Sequence, residues 1–140
     1  MELLMAIIAF GIMTTAVGSI LVSTWRNWVQ NRTSITMQRD AGMAAYLMAR
    51  EIRRTPISAG AFYIDDGNPL TCVNTNGTYV FSLNGADLEM QVDGGTPFTL
   101  VRSDCTFFHS SISSGAVVVE FDLDTGSDSS RNVMTIYPRN

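Results

Sequence analysis

Three aspartates lie close together in the segment DLDTGSDSS, at positions 122, 124 and 128. Carboxylates, hydroxyls and nearby carbonyl oxygens are the hard ligands that Ca²⁺ takes. We therefore treat Asp122, Asp124 and Asp128 as a candidate calcium site, although the loop lacks the terminal Glu of an EF-hand at the required offset. The alternative interpretation is a polar hairpin loop that its acids keep soluble.

Other side chains with catalytic potential are few in this sequence. His109 is the single histidine, and no Cys or Asp is spaced around it as in a metal or nucleophile motif. The sequence contains no Gly-rich phosphate loop and no recognisable Ser-His-Asp arrangement. We expect no enzymatic activity, and no cofactor beyond the candidate calcium ion.

The two cysteines, Cys72 and Cys105, both lie in the C-terminal part of the chain. An even cysteine count in an exported domain favours a disulfide. Closing a loop of this length would contribute about 3–4 kcal/mol. The alternative is two unpaired buried thiols, and the choice depends on whether this part of the chain is exported.

Whether the C-terminal part is exported depends on the nature of the apolar N-terminal segment, residues 3–25. This segment carries no charge. As a helix it would span roughly 35 Å, enough to cross a hydrocarbon core. Trp25 and Trp28 then fall where interfacial aromatic residues are expected. Glu2 precedes the segment. It either pairs with a cation on a neighbouring copy, such as its α-amino group, or is favoured there by the helix dipole.

Helical signals continue beyond this segment, because no proline occurs before Pro56. We predict one helix over about residues 2–54. Apolar residues recur along it at spacings of three and four, which predicts a stripe that packs on a sheet. These residues are Met37, Ala41, Ala44, Met48 and Ile52.

The opposite helix face carries arginines with two apolar side chains among them. The candidate subunit-contact residues on it are Arg39, Met43, Tyr46, Arg50 and Arg53, and Arg54 lies beside them. Scattered surface residues, a contact with anionic lipid and nucleic-acid binding are the alternatives. Residues 1–54 hold six arginines and three acids, whereas residues 55–140 hold three arginines and ten acids. This segregation favours attraction between neighbouring copies.

After the linker TPISAG, the apolar pattern changes to a period of two. Seven short strands are predicted in AFYI, TYVFSL, ADLEMQV, PFTLV, CTFFH, AVVVEFDL and NVMTIYP. Asn84-Gly85 predicts a type I′ hairpin, and FDLDTGSDSSRNVM predicts a second hairpin with a longer loop. The predicted fold is α+β, a long helix packed on an antiparallel sheet. The predicted segments are an apolar helix half at 1–25, an amphipathic half at 26–54 and a β-rich head at 55–140.

The opening MELLMAIIAFGIMTTAVGSI resembles the N-terminal segment of bacterial type IV pilins and type II secretion pseudopilins. Glu2-Leu3-Leu4 matches the family's Glu-Leu-Leu context, and Gly11 matches a common glycine. The resemblance implies that Glu2 pairs with the N-terminal amine of an adjacent subunit during assembly. It also implies that a prepilin peptidase removes a basic leader, and that this chain starts inside the family's mature sequence, because Glu2 stands earlier than usual. The family's common helix-breaking proline is absent.

The remainder resembles the J-type or W-type minor pseudopilins in the ordering of YVFSLNGADLEMQVDGG, PFTLVRSDCTFFH, AVVVEFDL and IYPRN, and in MAREIRRT. The resemblance implies a pilin-like fold and a structural subunit of a type IV pilus or pseudopilus filament. The alternative function is a minor, tip-located module for adhesion, secretion or DNA uptake. A third class is a single-pass anchored periplasmic domain.

The same resemblance implies where the protein resides and what it meets. Before assembly, the helix would lie in the inner membrane with the head in the periplasm. Afterwards the protein would form an extracellular pilus or a periplasmic pseudopilus. Its partners would be further copies or other pilins, the prepilin peptidase and an assembly platform.

Overall fold

The structure is a computed structural model that describes residues 2–58, 60–102 and 104–139. In these ranges one helix precedes eight strands, which confirms the predicted α+β class. In chain order the elements are α1 (Glu2–Arg54), β1 (Phe62–Ile64), β2 (Leu70–Asn74), β3 (Gly77–Asn84), β4 (Asp87–Val92), β5 (Phe98–Val101), β6 (Cys105–Ser113), β7 (Ala116–Asp124) and β8 (Ser129–Ile136).

Helix α1 begins at Glu2 and ends at Arg54, as the sequence predicts. An acid in its first turn and arginines in its last turn both suit the helix dipole. Past the end, the Thr55 hydroxyl donates to the carbonyl of Glu51 at 2.9 Å, which satisfies an orphan acceptor of the last turn. Pro56 follows and cannot continue the helix.

The chain divides into two compact units, one ending at Ile35 and the other beginning at Thr36. The division lies inside α1, and Met37 is the first buried side chain of the helix. The predicted segments at 1–25, 26–54 and 55–140 follow changes in composition and periodicity. The division at Ile35 instead marks where the helix starts to bury side chains.

The strands form two antiparallel sheets where the sequence predicted one. The first is five-stranded in the order β1-β2-β3-β4-β5, and the second is three-stranded in the order β6-β7-β8. Neighbours in space are neighbours in sequence, so each sheet is a meander. The sequence missed β2 (Leu70–Asn74), because Pro69 and flanking asparagines look like a loop. The change of sheet after β5 is a tertiary outcome, since β6 pairs with β7 and not with β5.

Both predicted hairpins form, with one correction to the turn. Asn84 pairs with Asp87, so the turn residues are Gly85 and Ala86, one position later than predicted. Gly85 has φ +64°, and Ala86 is not among the residues with positive φ. Only the first turn residue, Gly85, has a positive φ. This fits a type II′ turn, whereas the predicted type I′ turn needs a positive φ at both turn residues. The second hairpin joins β7 to β8 through a four-residue loop, 125–128.

The core of the second unit confirms the predicted helix stripe. All five stripe residues, Met37, Ala41, Ala44, Met48 and Ile52, are buried. They share one apolar cluster with strand residues from both sheets, including Phe81 of β3 and Phe121 of β7. Each large side chain buried there contributes about 1.5–3 kcal/mol. The helix therefore holds the two sheets on a common core.

Candidate functional site

The first unit is a helix whose apolar side chains are uncovered. Leu3 and Leu4, in the predicted assembly motif, are 78% and 63% exposed, and Phe10 is 73% exposed. Across the most apolar window of α1 no side chain is buried. By length and composition the helix can cross a membrane. Such a surface requires lipid or other protein around it, because exposed apolar patches of this size are unstable in water.

Four of the five hydroxyl side chains in residues 3–25 donate to carbonyls of the helix itself. Thr14 donates to the Phe10 carbonyl at 2.8 Å and Ser19 donates to the Ala16 carbonyl at 2.8 Å. Thr15 and Ser23 make the same kind of bond to carbonyls one turn earlier. Hydroxyls bonded in this way carry no unmet hydrogen bond into an apolar environment.

Glu2 and Gly11, the other predicted assembly residues, lie on the same exposed segment. Glu2 is in the first turn of α1 and is exposed. Met1 lies outside the described residues, so the predicted pairing with an N-terminal amine stays a prediction. A Cβ added at Gly11 or at Gly18 would meet nothing within 4 Å. No described residue explains these glycines by close packing, which leaves room for a neighbouring helix to approach.

The predicted subunit-contact residues all lie on the face of α1 opposite the buried stripe. We call Arg39, Met43, Tyr46, Arg50 and Arg53 the arginine face. Met43 and Tyr46 are 58% and 65% exposed. The Arg39 guanidinium reaches Asp40 at 3.1 Å. Two large apolar side chains thus lie uncovered between cations, the composition of an interface more than of a solvated face.

Glu51 lies fully buried at the C-terminal end of this helix, and sequence reasoning did not single it out. Its carboxylate accepts from Arg50 at 2.6 Å, from Arg54 at 3.5 Å and from the Asn74 amide at 3.4 Å. A buried carboxylate needs such partners, because removing it from water is costly. The network connects the helix to β2 and holds the Arg50 side chain in place. The signal available in the sequence was the position of Glu51, an acid between Met48 and Ile52 of the apolar stripe.

The predicted disulfide is wrong: Cys72 and Cys105 are both free and buried. Cys72 is in β2 and Cys105 is in β6, so they belong to different sheets. Burial raises the pKa of Cys72 to about 12, and the nearby Glu51 charge adds to the shift. Burial also raises the pKa of Cys105 to about 11. Both thiols therefore act as small apolar core residues.

The candidate calcium residues are placed separately by the β7–β8 hairpin. Asp122 lies on β7 opposite Arg131, whereas Asp124 accepts a 2.7 Å hydrogen bond from the Gly126 amide and shapes the turn. Asp128 lies in the loop, where its carbonyl accepts from the Thr125 amide at 3.0 Å. Among the described residues, no three His, Cys, Asp or Glu side chains are grouped to hold a metal ion. The calcium prediction thus gains no support from this geometry.

The same acids instead contribute to a surface that sequence reasoning missed. Strand β7 buries alternate residues, so Glu120, Asp122 and Asp124 share its outer side. Phe107 on β6 pairs with Asp122, and Val133 on β8 pairs with Glu120. We call these five residues the acidic sheet face. The alternation in VEFDLD was the available signal, but it was interpreted only as a strand followed by a loop.

Two details define the chemistry of this face. Arg131 forms an ion pair with Glu120. The Oδ1 atom of Asp122 is buried and has no hydrogen-bond partner among the described residues. His109 stacks on Phe107 at a ring distance of 6.2 Å and lies against Gly67, where any Cβ would overlap its ring. The single histidine is thus part of the packing of this sheet.

Comparison with known proteins finds no matching family model, no matching curated protein and no matching solved structure. Three surfaces of the described residues therefore bear on function. Those surfaces are the uncovered apolar helix of the first unit, and the arginine face and acidic sheet face of the second.

Proposed function

We propose that this protein is a structural subunit of a filament of the type IV pilus or pseudopilus kind, assembled through its apolar N-terminal helix. The observation that carries the proposal is the uncovered apolar surface of residues 3–25, which the chain itself leaves unburied. A helix of this length has two stable environments, a lipid bilayer and a bundle of similar helices. A filament subunit uses both in succession.

Energetics support an exchange between those environments. Transferring the 13 large apolar side chains of residues 3–25 out of water would yield roughly 1.5–3 kcal/mol each as an upper bound. Lipid already provides most of that, so the transfer from membrane to filament is nearly balanced. Specificity then comes from packing at small residues and from polar contacts. Gly11 and Gly18, which have open space around them, allow close helix approach.

On this proposal the protein is held in the inner membrane before assembly, with its head in the periplasm. After processing by a prepilin peptidase it enters an extracellular pilus or a periplasmic pseudopilus. The second unit supports this arrangement because it has a core of its own, so it folds on the far side of the membrane without the helix being covered.

The test is to shear cells that produce the protein, purify the released filaments and measure intact subunit masses. We expect this chain as the dominant subunit, with a methylated N-terminus. A trace amount would instead indicate the minor, tip-located module. Complete absence from filaments, with the protein still in the membrane, would refute the proposal in favour of a plain anchored domain.

A further inference from the structure

We propose that the arginine face of one copy docks on the acidic sheet face of a neighbouring copy. The inference rests on the proposed function, since it requires that copies assemble, and it names the surfaces through which their second units meet.

Charge complementarity is the first argument. The part of α1 in the second unit, residues 36–54, holds four arginines and two acids, a net charge of +2. The acidic sheet face, with Arg131 beside it, holds three acids and one arginine, a net charge of −2. Complementary potentials of this kind steer association and fix the register of an interface.

The apolar side chains match in the same way. On α1, Met43 and Tyr46 lie between Arg39 and Arg50, which are about 16 Å apart along the helix axis. On β7, Glu120 and Asp124 are about 13 Å apart along the strand. Phe107 and Val133 flank that row from the neighbouring strands and are 42% and 60% exposed. Each face therefore combines two apolar groups with a row of charges, and the two rows are of similar length.

Unmet hydrogen-bonding capacity points to the same partner. Arg53 is exposed and has no acceptor among the described residues. Its guanidinium can donate, in the bidentate geometry that arginine favours, to an exposed carboxylate on the acidic sheet face of another copy, such as that of Asp124.

The contact has to be intermolecular and head-to-tail. The stripe opposite the arginine face is buried in the core, so within one copy this face points away from the sheets. The arginine face and the acidic sheet face lie on opposite sides of this core, so a contact between them does not close on itself as a two-fold dimer does. A heterologous contact of this type propagates into a ring or a helical filament.

Crosslinking between two versions of the full chain tests the contact directly. One version carries Met43→Cys and the other carries Val133→Cys, and both are co-produced in cells. Membranes and sheared filaments are then treated with a bismaleimide. Both positions are exposed, whereas Cys72 and Cys105 are buried with raised pKa values. We expect a crosslinked dimer in mixed samples, at least about tenfold above each version alone, as oriented heterologous contact requires.

The matched control replaces Val133→Cys with Tyr63→Cys, an equally exposed position on β1 in the other sheet. Filaments that form but give no Met43–Val133 crosslink, or an equal crosslink to position 63, would overturn the docking proposal and leave the filament function standing. A crosslink in membranes without filaments would support the contact and count against the filament. The absence of both the crosslink and the filaments would overturn both the docking proposal and the filament function.

A charge swap gives an independent readout. Val133→Arg places a cation opposite the arginine face, and Met43→Glu places an acid opposite the acidic sheet face. We expect either change alone to lower filament yield at least about tenfold, since like charges juxtaposed at an interface are strongly unfavourable. The double variant should recover most of the yield. Failure of the double variant to recover the filament yield would overturn the docking proposal. Protection of Met43→Cys from maleimide by anionic vesicles alone would also overturn it and would assign the arginine face to lipid binding.

Discussion

Glu2 illustrates how a single charge directs assembly if the filament proposal is correct. We predict that Glu2→Ala leaves the second unit folded but abolishes or cripples filament formation, because the carboxylate loses its cation on the adjacent copy. Filament yield after shearing measures the effect, and circular dichroism of the protein checks folding. Glu2→Asp separates the two interpretations: it keeps the favourable dipole interaction but shortens the reach. Full yield from Glu2→Ala would contradict the pairing.

The buried thiols make a pH-dependent prediction at the residue scale. The unfolded thiol titrates near 9.0, whereas the folded pKa of Cys72 is about 12 and that of Cys105 is about 11. The folded state thus binds more protons above pH 9. Its free energy of unfolding should be unaffected below pH 9 and fall as the pH rises through 9 to 12, at up to about 1.4 kcal/mol per pH unit for each thiol.

Two measurements check this. Denaturant titrations between pH 8 and 11 should give a shallower decline for Cys72→Ala than for the wild type. At pH 8 a thiol reagent should modify neither cysteine until denaturant is added, after which both react. A folded protein with no reactive thiols even in denaturant would contradict the free-thiol state and restore the disulfide.

Sequence reasoning about single residues succeeded where the property depends on the residue's own type and its position in the helix. It failed where the property depends on a partner from elsewhere in the fold. The exposure of Met43 and Tyr46 followed from helical spacing alone. The cysteine state did not, because pairing depends on the strand in which each cysteine lies. The role of Glu51 was missed for the same reason: Asn74, one of its partners, belongs to a strand that the sequence pattern did not reveal.

At the scale of elements, α1 has two faces that a pair of methionine variants distinguishes. Met48 is fully buried, so Met48→Ala should lower the free energy of unfolding by about 2–5 kcal/mol. Met43 is exposed, and Met43→Ala should change it by less than about 0.5 kcal/mol. Thermal unfolding of the full chain in mild detergent measures both. Equal effects would mean that the buried stripe has been assigned to the wrong face.

The strands show which features of a sheet the alternation of apolar residues can predict. Alternation predicted seven of them, because each has side chains that differ between its two sides. It did not predict β2 or the change of sheet after β5. Periodicity reports which side of a strand is buried but not which strand is its neighbour. The acidic sheet face was overlooked on that account, since it requires Phe107, Glu120 and Val133 from three adjacent strands.

For the whole molecule, the division at Ile35 predicts two separable behaviours. A chain of residues 36–140 retains the entire buried core, so we expect it to be soluble without detergent, folded and unable to form filaments. Cooperative thermal unfolding and a monomeric elution volume are the measurements. Aggregation, or a requirement for detergent, would show that the first unit contributes to folding as well as to assembly.

The sequence alone determined the features that depend on local chemistry. They are a helix from Glu2 to Arg54, an apolar segment long enough to cross a membrane, the buried stripe and the α+β class. Helix periodicity and apolar length need no knowledge of distant residues. Tertiary structure alone decided which residues meet: the division of eight strands into two sheets, the separation of the cysteines, the partners of Glu51 and the acidic sheet face. Those outcomes depend on contacts between positions far apart in the chain, which local patterns do not encode.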